Sequence, residues 1–397
     1  MNRRRRTMRK ALVGGMILDA TGAPPVSRGT LVINGDKIEA VGQKDDVPIP
    51  PDSEIIDAHG LTLMPGLINT HDHLAHPDPT DPLTDYQTEY ARLEEDPDRD
   101  LFPYAIRYGR QELLDGVTTV RVVGQRGGVD FRYKRAFDSN LAPGPRIIPS
   151  GAAINSTHGT AERLGVLADG VDAVRKAVRQ NLRDGAQVIK IFLTGAYRSG
   201  VAYHLTTPMF SREEITVAVE EAHRFGVKVI AHAFGGPSVR WAVEAGIDSI
   251  EHADLITDDD LDLIVSRGTY IGLTLLWFFT DLYRKRTPEK AEAAVQTVRR
   301  FHEAGAKLVL GGDCIHGDHA MVRHLEILTQ CGISPMNAVL IGTKRGAEAC
   351  GIAERRGTLE VGKDADIIGV RGDPLEDISA LRNVRLVMKG GEIYSNA

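Results

Sequence analysis

The sequence predicts an α/β protein: a (β/α)8 TIM barrel with a small β domain built from both chain ends. Three observations carry that expectation. Through the middle of the chain, short apolar runs rich in β-branched residues alternate with helical stretches, as parallel-sheet units do. The first and last zones share another style, short strands joined by tight turns. Finally, polar residues able to do chemistry recur at the downstream ends of the middle runs, where barrel strands carry function. A doubly wound sheet is the competing α/β arrangement.

The chain has 397 residues, 42% hydrophobic and 26% charged, which excludes the disordered and fibrous classes. A net charge of −6 lacks the basic excess of a nucleic-acid-binding protein. Cys314, Cys331 and Cys350 are too few and odd in number for a disulfide framework, so a reducing, cytoplasmic setting is expected. No apolar stretch approaches the roughly 18 residues of a membrane span. Arg3 to Arg6 resemble the start of a secretion signal. The apolar stretch behind them is short, ends at Asp19 and lacks a cleavage site. A solvated basic tail over residues 1–9 is therefore expected, and Met8 is an alternative start.

The elements follow in order. Residues 1–64 give strands at Ala11–Leu18, Thr30–Ile33, Lys37–Val41, Glu54–Asp57 and Leu61–Met64, with Asn34-Gly35-Asp36 as a hairpin turn. Residues 65–356 give eight strand runs: Gly66–Asn69, Val117–Val123, Arg146–Ser150, Val188–Leu193, Lys228–Ala233, Ser249–His252, Tyr270–Leu275 and Lys307–Gly311. Helix starts show at Ser211-Arg-Glu-Glu (a capping box), Thr257-Asp-Asp-Asp and Thr287-Pro-Glu. Residues 357–397 return to strands at Ala365–Val370, Val384–Lys389 and Glu392–Tyr394.

His71 and His73 close the first barrel strand, and residues two apart on a strand face the same side, so both imidazoles can meet one metal. Lys190 stands between apolar neighbours in the fourth run, a costly position unless the amine is used. His232, His252 and Asp313 mark the fifth, sixth and eighth runs. A lone buried histidine is ordinarily a satisfied core residue. Six such groups on five strand ends are harder to explain that way.

The segment Leu63-Met-Pro-Gly-Leu-Ile-Asn-Thr-His-Asp-His resembles the first-strand motif of the metal-dependent amidohydrolase superfamily. Gly357-Thr-Leu-Glu-Val-Gly-Lys-Asp-Ala-Asp resembles that family's return into a β-sandwich domain. The likeness spans nearly the whole chain. It is greatest to the imidazolonepropionase-related branch, with its prolidase-like dipeptidases, N-acyl amino acid hydrolases and urea or carbamate hydrolases. The resemblance implies a binuclear centre of two divalent ions, Zn²⁺ foremost. His71 and His73 would hold the more buried ion, His232 and His252 the more exposed one, and a carboxylated Lys190 would bridge them. Asp313 would bind the first ion and carry the proton while a metal-activated hydroxide attacks an amide carbonyl. His158 resembles a family position that contacts the substrate.

An N-acyl amino acid or dipeptide is the expected substrate, a small molecule, with no nucleic-acid or membrane partner and a homo-oligomeric state as in relatives. The loop after the fourth strand reads as a lid, with Arg198 toward a substrate carboxylate and Tyr197 or Tyr203 assisting. Trp277, Phe278 and Phe279 read as an apolar wall. The alternatives are a urea or carbamate hydrolase and a mononuclear heterocycle deaminase; Lys190 speaks against the latter. A decayed, non-enzymatic relative would have lost ligands, and all six positions are filled.

Overall fold

The computed structural model describes residues 9–96, 99–198, 201–202, 204–281 and 289–396; residues 1–8 of the basic tail and Tyr203 lie outside them. Both chain ends meet in one eight-stranded sheet. Its N-terminal strands are β1 (Lys10–Ile17), β2 (Val26–Asn34), β3 (Lys37–Gln43), β4 (Glu54–Asp57) and β5 (Leu61–Pro65). The parallel strands of the middle are β6 (Leu67–Asp72), β7 (Val117–Val122), β8 (Arg146–Ile148), β9 (Ala153–Asn155), β10 (Gly165–Leu167), β11 (Val188–Phe192), β14 (Lys228–Ala233), β15 (Ser249–His252), β16 (Tyr270–Leu273) and β17 (Lys307–Leu310). A two-stranded hairpin, β12 (Tyr197–Arg198) and β13 (Val201–Ala202), stands in the loop after β11. The C-terminal strands are β18 (Ile367–Arg371), β19 (Val384–Lys389) and β20 (Glu392–Asn396).

The chain-end sheet runs β20-β19-β18-β5-β1-β2-β3, with β4 beside β1. Leu12, Ile33, Leu63, Ile367 and Met388 form its own apolar cluster. The middle strands form two parallel sheets, β6-β7-β8 and β10-β9-β11-β14-β15-β16-β17. Bonds outside the ladders join the two sheets. Gln187 N–H donates to Pro149 O (2.8 Å), Thr70 Oγ1 donates to Leu310 O (2.9 Å), and Asp313 N–H donates to His71 O (3.0 Å).

Helices alternate with these strands and bury one face on them. On β11, Ile189 and Ile191 join the large apolar cluster with the helix residues Val178 and Ile215, while Lys190 faces the other way. The capping box at Ser211 is present, with Glu214 N–H on Ser211 Oγ and Ser211 N–H on Glu214 Oε2. Thr257 caps its helix through Asp260 N–H. The helix expected to open at Thr287-Pro-Glu is described over Glu289–Glu303; Thr287 and Pro288 lie outside the described residues.

Several strands depart from expectation. The run at Arg146–Ser150 stops at Ile148, because Pro149 has no N–H to give a ladder. The run at Tyr270–Leu275 stops at Leu273, since Leu275 already caps a short helix over Leu276–Phe279. Strands β9 and β10, three residues each, carry no alternation a sequence reading can use. Among the described residues, no helix is long and apolar enough to cross a membrane.

Arg146 ties the middle of the chain to the terminal sheet. Its Nε and Nη2 donate to Asp366 Oδ2 and Oδ1 at 2.9 and 3.1 Å, and Gly390 N–H shares Oδ1 at 2.7 Å. Asp366→Ala takes the two-pronged acceptor from a partly buried guanidinium, and should cost about 1.5–3 kcal/mol, the scale of hydrogen bonds to a charged group. Urea unfolding measures it; a midpoint unchanged from the parent would show the pair to be dispensable.

Candidate metal centre

Five of the expected ligands line one cavity: His71, His73, His232, His252 and Asp313. The ligand atoms of His71, His73 and Asp313 lie within 4.8 Å of one another. Asp313 Oδ1 is 3.5 Å from His71 Nε2 and 3.6 Å from His73 Nε2. The His232 and His252 rings meet at 4.5 Å, and His252 stands 5.1 Å from His71. Lys190 is fully buried beneath them, and its Nζ has no hydrogen-bond partner among the described residues.

Backbone shape places two of these groups. Strand alternation alone would set Glu251 and His252 on opposite faces, yet both reach the His71 ring. His252 and Ala253 adopt positive φ (75° and 62°), as do Asp313 and Cys314 (49° and 73°). Such turns are costly for residues with a Cβ and cluster at functional sites. Here they swing the groups after β15 and β17 back into the cavity. Gly311 leaves the room: a Cβ there would overlap the His71 backbone and side chain.

Each imidazole has one nitrogen engaged in a hydrogen bond. His71 Nδ1 faces Glu251 Oε2 (2.7 Å), His73 Nδ1 faces Gly124 O (3.0 Å), His232 Nε2 faces Gly195 O (3.0 Å) and His252 Nδ1 faces Thr274 Oγ1 (2.8 Å). The nitrogen facing a carbonyl or carboxylate carries the proton, so the other keeps its lone pair. Burial reinforces this, pushing His73 down to about 4, His252 to about 3 and His232 well below the usual imidazole value. Neutral rings are the form a metal takes up. Burial opposes charge on Asp313, but His71, His252 and His73 outweigh it and hold the carboxyl well below its usual range. Burial draws Lys190 down to about 8 against the pull of Glu251 and Asp313.

The sequence reading passed over Arg121 and Glu251. Both are fully buried, 3.1 Å apart, and Glu251 also accepts from Ser249 Oγ (2.6 Å). Gly272 makes space for the Glu251 carboxylate, which a Cβ would overlap. A signal was present: charged residues inside strand runs, a weaker form of the oddity that singled out Lys190. Asp72, Glu112 and His316 form a second buried group beside the cavity. Asp72 accepts from His73 N–H, Cys314 N–H and Asn69 Nδ2, so it fastens the loops that bear His73 and Asp313.

Of the expected substrate contacts, Tyr197 and Trp277 line the cavity with Phe278. Trp277 Nε1–H donates to Asp313 O at 2.6 Å. Phe279 packs on the core instead. His158 is exposed and does not line the cavity, because the turn after β9 carries it outward. The Arg198 side chain and Tyr203 lie outside the described residues.

Residues 62–394 match the family model described as the amidohydrolase family. The ochratoxinase of Aspergillus niger is 28% identical over 96% of this chain and 86% of its own length. The imidazolonepropionase of Symbiobacterium thermophilum is 25% identical over 87% of this chain and 84% of its own. A crystal structure of a Xaa-Pro dipeptidase with methionine bound in its active site superposes with a TM-score of 0.84 at 28% identity, covering 98% of this chain and 100% of that one.

Glu251→Gln keeps the shape but strands Arg121 as an uncompensated buried charge. It should cost the metal-free protein about 3–5 kcal/mol in urea unfolding. A loss below about 1 kcal/mol, the scale of one ordinary hydrogen bond, would mean that Arg121 finds its balance elsewhere.

Proposed function

From its membership of the amidohydrolase family, which makes this chain an enzyme acting on C–N bonds, we propose a binuclear metal-dependent hydrolase of N-acyl amino acids or dipeptides. The observation that carries the reading is the set of four imidazoles, each with one nitrogen occupied and the other left open around one cavity. The donor set fits divalent ions, with Zn²⁺ the best match to imidazole and carboxylate. In this reading His71, His73 and Asp313 hold one ion, and His232 and His252 the other.

Charge supports a carboxylated Lys190 as the bridge. Two divalent ions beside an ammonium would leave a large uncancelled charge in a buried site. A carbamate on Lys190 turns that cation into an anion with two oxygens, and the unpartnered Nζ is depressed toward the neutral amine that CO₂ requires. In the same reading β6, β7, β8, β11, β14, β15, β16 and β17 close as a (β/α)8 barrel over residues 65–356. Residues 1–64 and 357–397 make the β-sandwich domain; the bonds between β6 and β17 support closure.

When bound, the ions lower the pKa of water and polarise the scissile carbonyl. The chain's own groups do the rest. Asp313, close to His71 and His73, takes the proton of the attacking water on a carboxylate oxygen and passes it to the leaving nitrogen. Trp277 fixes the Asp313 backbone and, with Tyr197, Phe192 and Phe234, gives the cavity an apolar wall that excludes water. His158 has no part in this reading.

Elemental analysis of protein grown with ample metal should find two divalent ions per chain; one ion at full activity would overturn the binuclear centre. Lys190→Ala should lose metal and activity, with partial recovery on adding short-chain carboxylic acids, and full activity without them would make Lys190 a mere buried amine. Asp313→Asn should lower kcat by roughly 10²-fold or more with a smaller change in KM. An unaltered pH–rate profile in that variant would move the proton to another group. Among substrates, N-acyl amino acids and Xaa-Pro dipeptides should be cleaved in preference to neutral ureas, carbamates and aminated heterocycles; the reverse order would favour the other branches.

A further inference from the structure

One cation of the cavity has no place in the chemistry above. Arg163 belongs to the short turn Glu162–Leu164 that leads into β10. The turn is pinned by Leu164 N–H on Ala161 O (3.0 Å) and by burial of the Leu164 side chain. The Arg163 side chain lines the cavity together with His73, His76 and Cys314. Its guanidinium lies over the Tyr90 ring, with the central carbon 4.7 Å from the ring centroid.

Two other arginines drawn into the interior have anionic partners: Arg121 pairs with Glu251 and Arg146 with Asp366. Arg163 differs. Its Nε is buried with no hydrogen-bond acceptor among the described residues. An unpaired buried donor on a charged group is costly. It persists most readily where an acceptor arrives with a ligand. Stacking on Tyr90 holds the planar fork in one orientation, the condition for two parallel bonds to a carboxylate.

We propose that Arg163 is the residue that reads the substrate's carboxylate, which makes the released amine a free amino acid. The proposal rests on the hydrolase reading above and deepens it. The cavity is two-sided. Arg163 and Tyr90 line it along with His73 and His76, while Phe192, Tyr197, Phe234 and Trp277 supply the apolar wall. A substrate with its α-carboxylate on Arg163 and an apolar acyl or aminoacyl group on that wall brings its amide bond to the imidazole cluster. Arg198, the residue the sequence suggested for this task, is not needed in this arrangement.

The test compares an N-acyl amino acid with its C-terminal carboxamide, which keeps the scissile bond and loses only the charge. The parent enzyme should prefer the acid. Arg163→Met should raise KM for the acid about 10- to 100-fold, the scale of a hydrogen bond to a charged group, move kcat and the carboxamide's KM far less, and leave the metal content intact. Inhibition by the free amino acid product should weaken in parallel. Arg163→Lys should restore part of the preference for the acid, since it returns the charge without the fork. Equal losses on acid and carboxamide in both variants would overturn the assignment of Arg163 while leaving the hydrolase reading standing. A parent enzyme that cleaves only neutral carbamates or ureas would overturn both.

Discussion

The interior of this protein is organised around one buried carboxylate. Glu251 sits at full burial between the Arg121 guanidinium and the His71 imidazole, with Ser249 as a further donor. Arg121 in turn reaches the carbonyl of Thr70, one residue before His71. Charge cancellation and ligand orientation are therefore a single constraint. Remove the anion and the cation beneath it has no counter-charge, while the ring above loses the acceptor that sets its tautomer. Even the neighbouring strand is shaped by it, since Gly272 is small where the carboxylate needs room.

The same logic extends outward through the other histidines. Their partners are two backbone carbonyls, Gly124 and Gly195, and one hydroxyl, Thr274. A carbonyl oxygen does not titrate and does not change rotamer. Orientation of the cluster is thus built into the course of the chain after β7 and β11, and costs few side chains. Outer partners of this kind commonly matter to a metal site nearly as much as the ligands do.

Much of the fold was legible in the sequence because hydrophobic periodicity is a direct record of burial. β14, β15 and β19 begin and end where alternation and turn residues said they would. The strands that were missed, β9, β10, β12 and β13, are two or three residues long, too short to have a period. In the site, Lys190 was conspicuous because a charge between Ile189 and Ile191 has no bland explanation. Arg121 and Glu251 broke the same rule, but they sit among threonines, serine and histidine and so looked less foreign. The positive φ at His252 and Asp313 cannot be read from residue type at all, because neither residue is glycine. For the same reason an exposed His158 could pass for a cavity residue: its sequence neighbours do not reveal which way the turn after β9 goes.

The meeting of both chain ends in one sheet has a kinetic side. Strand β5 pairs with β18 over Leu61–Pro65 and Ile367–Arg371, so its partner is made about 300 residues later. At about 5–20 residues per second, translation leaves the edge of β5 open for on the order of 15–60 s. During that interval β1, β2 and β5 present an unfinished sheet, the situation in which strand edges recruit wrong partners. The middle strands pair with neighbours close in sequence and need not wait. Synthesis is then expected to produce the catalytic part first and seal the terminal sheet last. A ribosome-bound chain stalled before β18 is the form of this protein most in need of a chaperone.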